Sequence, residues 1–90
     1  MEFEFDESKS DANKQKHGLD FYEARQLWLD PDAVELPARS EKEERKMLIA
    51  RFKGRVWSAI FTERAERIRI ISVRRARANE IAIYEEANDR

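Results

Sequence analysis

The chain has 90 residues, no cysteine, 18 Lys+Arg against 19 Asp+Glu, and equal shares of charged and hydrophobic residues at 41% each. A chain this short forms one domain, residues 1–90, whose core buries only about 60–65% of the surface exposed on unfolding. Without cysteine there are no disulfides, thiolate zinc sites or thiol nucleophiles, which fits a reducing, cytoplasmic setting; apolar runs such as Met47-Leu48-Ile49-Ala50 are too short for a signal peptide or a membrane span.

Met1 to Phe5 alternates, with Phe3 and Phe5 on one side, and predicts a short half-buried strand. Asp6 suits the N-cap of a helix from Glu7 to His17, and Gly18 stands where a helix end needs a left-handed residue. On that helix Lys9, Asn13 and His17 recur at spacing four and share a face, with Lys16 beside them. Asp20 can cap a second helix, whose stripe of Phe21, Ala24, Leu27 and Trp28 ends at Asp30-Pro31 and reads as core.

Val34 to Leu36 predicts a brief strand closed by Pro37, and Arg39 to Glu44 a charged loop. Lys46–Phe52, Val56–Thr62 and Arg67–Val73 predict an antiparallel meander with turns at Lys53-Gly54-Arg55 and Glu63-Arg64-Ala65-Glu66. Strict alternation puts Ile68, Ile70 and Ser72 on one face of the last strand and Arg67, Arg69, Ile71 and Val73 on the other. Ala76 to Asn88 predicts a final helix with Ile81 and Tyr84 inward. The expected fold is α+β, in the order β-α-α-β-β-β-β-α, with the helices packed on one face of a small antiparallel sheet.

The near-neutral total conceals segregation of charge. Residues 1–44 hold 6 basic and 13 acidic groups (net −7), residues 45–77 hold 11 and 2 (net +9), and residues 78–90 hold 1 and 4 (net −3). Arg64, Arg67, Arg69, Arg74, Arg75 and Arg77 crowd the end of the basic block. Arginine's planar fork suits phosphate, although such a face can equally pair with the acidic N-terminal part. A basic surface of this kind also attracts an acidic or amphipathic protein segment, which is expected to cover part of the sheet.

The single His17 has no second histidine or any cysteine for a metal site, and Gly18 and Gly54 are too far apart for a phosphate-cradling loop. No metal or cofactor is therefore expected. Cleavage of RNA needs neither, because the substrate's own 2′-hydroxyl is the nucleophile and the protein need only orient it, move protons and hold charge. Glu63-Arg64, Arg69 and His17 supply those residue types. Histidine exchanges protons near neutral pH, yet His17 also suits a helix end and Glu63 an ordinary turn.

Phe3-Glu4-Phe5-Asp6-x-x-Lys9, Asn13-x-x-Lys16-His17-Gly18 and Phe21-x-x-Ala24, followed by Thr62-Glu63-Arg64, Arg69-Ile70-Ile71-Ser72-x-Arg74-x-Ala76, Glu80 and Tyr84-Glu85, resemble the shared segments of BrnT-type toxins of bacterial type II toxin–antitoxin systems. The chain departs from that pattern at Phe5, Val73 and Asn79, where tryptophan, alanine and a basic residue are usual. The resemblance implies a RelE-like fold and a metal-independent ribonuclease that blocks translation. It further implies a BrnA-type antitoxin partner, with operator DNA bound only through the antitoxin complex. It nominates His17, Glu63, Arg64, Arg69, Ser72 and Arg74 for the active face; there Arg64 and Arg69 are expected to bind the scissile phosphate, Glu63 or His17 to accept or donate the proton, and Lys9, Lys16 and Arg75 to hold flanking phosphates of the RNA substrate. The alternative is a non-catalytic RNA- or protein-binding module of the same fold. A regulator that binds DNA by itself is disfavoured, since no helix concentrates arginines.

Overall fold

The computed structural model describes residues 1–41 and 43–89; Lys42, in the predicted charged loop, and Arg90 lie outside the described residues. The chain runs β1 (Glu2–Glu4), α1 (Glu7–His17), α2 (Phe21–Ala24), a 3-10 segment (Arg25–Leu29), β2 (Val34–Ala38), β3 (Arg45–Phe52), β4 (Arg55–Arg64), β5 (Arg67–Arg75) and α3 (Ala78–Ala87). The five strands form one sheet in the order β1-β5-β4-β3-β2.

Local chemistry sets the helix ends. The Asp6 carboxylate accepts from the Ser8 and Lys9 amides at 2.8 and 3.2 Å, and Gly18 closes α1 at φ 86°. Asp20 and Glu23 form a reciprocal capping box that starts α2. Pro37, predicted to close β2, instead lies inside it, because β2 is an edge strand and its outer side needs no ladder donor.

The sheet is mixed rather than antiparallel. β2 to β5 pair antiparallel, but β1 pairs parallel to β5 with Phe3 opposite Ile68. Only a hairpin obliges antiparallel pairing, and the two α-helices and three strands separate β1 from β5.

Helices also cover both faces, not one. On the first face Leu19, Phe21, Ala24 and Leu27 pack on Leu48, Ala59, Phe61, Ile70 and Val73, and Trp28 meets both Phe3 and Phe61 edge-on at 5.2 Å. On the second, Tyr84 and its α3 neighbours Ile81 and Ile83 cluster with Ile49 and Val56. Alternate residues of β3 and β4 are apolar in both directions, so both sides of these strands require cover.

A further correction concerns β5. The β4–β5 register slips between Ile60 and Phe61, which pair with Ser72 and Ile70, so Ile71 is an extra, bulged residue. The bulge reverses the alternation: Val73 joins Ile68 and Ile70 in the core, and Ser72 turns to the opposite face. β4 likewise runs on through Glu63 and Arg64, leaving Ala65-Glu66 as a two-residue turn with φ values of 46° and 70°. Among the described residues no helix is long and apolar enough to cross a membrane.

Candidate active site

α1 has almost no apolar face; the residues it buries are Ser10 and Asn13. The Ser10 hydroxyl accepts from the Phe21 amide at 2.9 Å. Asn13 does more: its Nδ2 donates to the carbonyls of Leu19 at 2.7 Å and Val73 at 2.9 Å, and its Oδ1 accepts from the Val73 amide at 3.1 Å. One buried amide thus fastens the C-terminal half of α1 to β5. His17 follows Asn13 by one helical turn and Arg75 follows Val73 by two residues, so this clamp brings them into the same cavity.

That cavity, about 410 Å3, is lined by Lys14, His17, Lys53, Arg55 and Arg75, with Glu23 and the rings of Phe52 and Trp57. The two-residue turn Lys53-Gly54, with φ values of 51° and 77°, sets Lys53 and Arg55 at this end of the sheet. Trp57 is buried and donates through Nε1 to the Phe52 carbonyl at 3.3 Å, and the Lys53 ammonium lies 5.3 Å from the Phe52 ring centre. Lys14 is held by Glu23 at 2.7 Å, which keeps the Glu23 carboxyl below its usual range. Among the described residues, Lys53, Arg55 and Arg75 have no ion-pair partner. A half-buried imidazole beside three cations that form no direct ion pair, with Glu23 the one carboxylate in the lining, can bind a phosphodiester and exchange a proton beside it.

The other nominated residues lie elsewhere. Glu63 and Arg64 are at the far end of β4 from Arg55, roughly 25–30 Å away at strand rise, so one phosphate cannot touch both His17 and Arg64. Glu63 accepts from Lys46 at 2.9 Å, and Arg64 pairs with Glu43 at 3.2 Å, depressing the Glu43 carboxyl. Arg69 faces Glu4 at 3.8 Å. Ser72 stands beside the bulge on the second face, and Lys9 and Lys16 are exposed on α1. Of the predicted shared face on α1, Asn13 is turned into the core.

Arg74 is committed to another task. Its Nη1 and Nη2 donate to Oε1 and Oε2 of Glu80 at 2.7 and 2.8 Å, and Glu80 also accepts from Ser58 Oγ and the Arg77 amide, each at 2.9 Å. Glu80 is buried, and the Arg74 guanidinium, aided by the two smaller donors, lowers its pKa to about 2 against the cost of burial.

Sequence reasoning missed Lys53, Arg55, Asn13 and Glu80 as site or support residues. The hairpin signal Lys53-Gly54 could have placed two cations at one end of the sheet. No three His, Cys, Asp or Glu side chains converge as metal ligands among the described residues.

Residues 5–80 match the family described as the ribonuclease toxin, BrnT, of type II toxin-antitoxin systems. A small α+β domain with a basic cleft is thereby a toxin ribonuclease by class, of the kind that works opposite an antitoxin protein. The match spans most of the chain, which belongs to the BrnT family. Among curated proteins no match is found.

Proposed function

We propose that the chain is a metal-independent, RelE-like endoribonuclease toxin of the cytoplasm that inhibits translation by cutting RNA in the His17 cleft. The observation that carries this reading is the set of three unpaired cations, Lys53, Arg55 and Arg75, around His17. At the other end of the sheet Lys46 and Arg64 already hold carboxylates of the same chain, Glu63 at 2.9 Å and Glu43 at 3.2 Å, and so attract a phosphate less.

In the proposed reaction the 2′-oxygen attacks phosphorus, the bond from phosphorus to the 5′-oxygen breaks, and the products are a 2′,3′-cyclic phosphate and a 5′-hydroxyl. One proton leaves the nucleophile and one reaches the leaving oxygen; His17 carries one of these transfers and solvent water the other. Arg55 and Arg75 hold the charge that develops on the phosphoryl oxygens, a role that the planar, multi-donor guanidinium fork suits. Arg64, Arg69, Lys9 and Lys16 are outer cations for a longer RNA, and Glu63 and Ser72 have no part at the reacting phosphate. The antitoxin is a BrnA-type protein, through whose complex operator DNA is bound.

Wild-type, His17→Ala and Arg64→Ala chains induced in growing cells test this, with total RNA examined and a chelator added to a repeat in vitro. Arrest with chelator-resistant cleavage that is lost in His17→Ala supports the reading. Cleavage lost in Arg64→Ala but kept in His17→Ala moves the active site to the far end of β4, and intact RNA throughout favours a non-catalytic binding module.

A further inference from the structure

The second face of the sheet is built in rows. Val34, Ile49, Ser58 and Arg74 form one cross-strand row, and α3 covers it: Glu80 bonds Ser58 and Arg74, and Tyr84 packs with Ile49. The next row is Leu36, Met47, Ile60 and Ser72, with the bulged Ile71 beside it. Its apolar members are all only partly buried: Leu36 and Met47 border the Tyr84 cluster, while Ile60 and Ile71 belong to neither core cluster. Beyond it lies a charged belt with Arg45 opposite Ala38, Arg69 opposite Thr62 and Arg67 opposite Arg64.

The belt is under-satisfied. Arg45 and Arg64 share one carboxylate, Glu43, at 3.5 and 3.2 Å, while Arg67 and Arg69 stand 3.9 and 3.8 Å from Glu2 and Glu4. Among the described residues, the guanidiniums of Arg67 and Arg69 donate no hydrogen bond, and the buried Arg45 Nε is 3.5 Å from Glu43, too far for a well-formed one. A carboxylate arriving from outside would gain bidentate contacts that the chain's own acids do not make.

We propose that this row and belt are the docking surface for one amphipathic, acid-flanked helix of the antitoxin, lying beside α3. Its apolar side rests on Leu36, Met47, Ile60 and Ile71, and its carboxylates reach Arg45, Arg67 and Arg69. Three strand spacings make a seat of about 14 Å, which about ten helical residues cover. The inference rests on the reading of the chain as the toxin of a toxin–antitoxin pair, and it places this contact on the face opposite the α1 layer and His17.

The test titrates the purified antitoxin encoded with the toxin against full-length Ile60→Glu and Arg45→Glu chains, with Leu29→Glu, at a 73% exposed position of the helical layer, as control. Both sheet-face variants are expected to lose at least about tenfold in affinity while the control does not. Their circular dichroism and RNA cleavage should match the wild type, and the Met47 and Ile60 methyl signals of the wild type should shift on complex formation. If Ile60→Glu fails to fold, Arg45→Glu and the methyl signals still decide. Unchanged affinity with unmoved methyls overturns the proposal. So does antitoxin binding that persists while Ile60→Glu abolishes either toxin self-association or RNA cleavage, since the face would then serve a second copy or RNA. A wild type that binds antitoxin but cuts no RNA removes the nuclease reading alone.

Discussion

Arg74 and Glu80 meet through two parallel hydrogen bonds, 2.7 and 2.8 Å, between the second face of β5 and the first turn of α3. The pair joins helix to sheet where Ser58 and the Arg77 amide supply the remaining donors. Removing one partner leaves the other charge in a largely dry site, so Arg74→Ala should cost about 2–4 kcal/mol. Urea denaturation measures this; a loss well under 1 kcal/mol would show that α3 is held by its apolar contacts alone.

The same pair gives the fold an acid-sensitive component. Glu80 has a pKa of about 2 in the folded chain, against about 4.3 for an unfolded glutamate. Between those values the unfolded chain binds more protons, so stability rises with pH, is complete above about pH 4.5 and is lost as pH falls toward 2. The contribution is roughly 3 kcal/mol. Glu80→Gln should lower the plateau near neutrality and flatten the stability curve between pH 4.5 and 2, as read from midpoints of thermal unfolding across that range.

The turn between β4 and β5 is built from residues ill suited to it. Ala65 and Glu66 both have positive φ, 46° and 70°, the geometry that Asn-Gly adopts with least strain. Ala65→Asn combined with Glu66→Gly should stabilise the protein by about 1 kcal/mol. An unchanged or lowered melting temperature would mean that the wild-type turn carries no such strain.

What could be read in advance was what depends on near neighbours. Asp6 and Gly18 bound α1 because capping is chemistry within a few residues, and the Phe21, Ala24, Leu27 stripe revealed a core face because helical spacing is local. Ile71 could not be identified as a bulge, since nothing in Arg69-Ile70-Ile71-Ser72 marks an unpaired residue, and one extra residue reversed the assignment of Ser72 and Val73. The His17 cleft was half legible. His17 and Arg75 were both nominated, but their meeting depends on Asn13 reaching Val73 across 60 positions.

That reach makes Asn13 a positioning residue with a testable signature. Asn13→Ala would leave the Val73 amide and carbonyl and the Leu19 carbonyl without their partner in a buried site, at a cost of about 2–3 kcal/mol. If the clamp sets the cleft, then under conditions where the variant is fully folded its kcat should fall by about tenfold or more while RNA affinity changes little. Loss of stability without loss of kcat would make Asn13 a structural residue only.

The unpaired cations predict how RNA binding responds to salt. Each phosphate contact made with single-stranded RNA steepens the fall of log K with log salt concentration by about 0.7. Arg55→Ala and Arg75→Ala should therefore each make the slope shallower by about that amount. Arg64→Ala should change it less, because the Arg64 charge is already paired with Glu43 at 3.2 Å. The comparison is made with a non-cleavable RNA bearing 2′-deoxy sugars at several salt concentrations, so that binding is read apart from cleavage. Equal slopes for wild type and Arg75→Ala, with a shallower one for Arg64→Ala, would place the RNA on the far end of the sheet and detach His17 from the reaction.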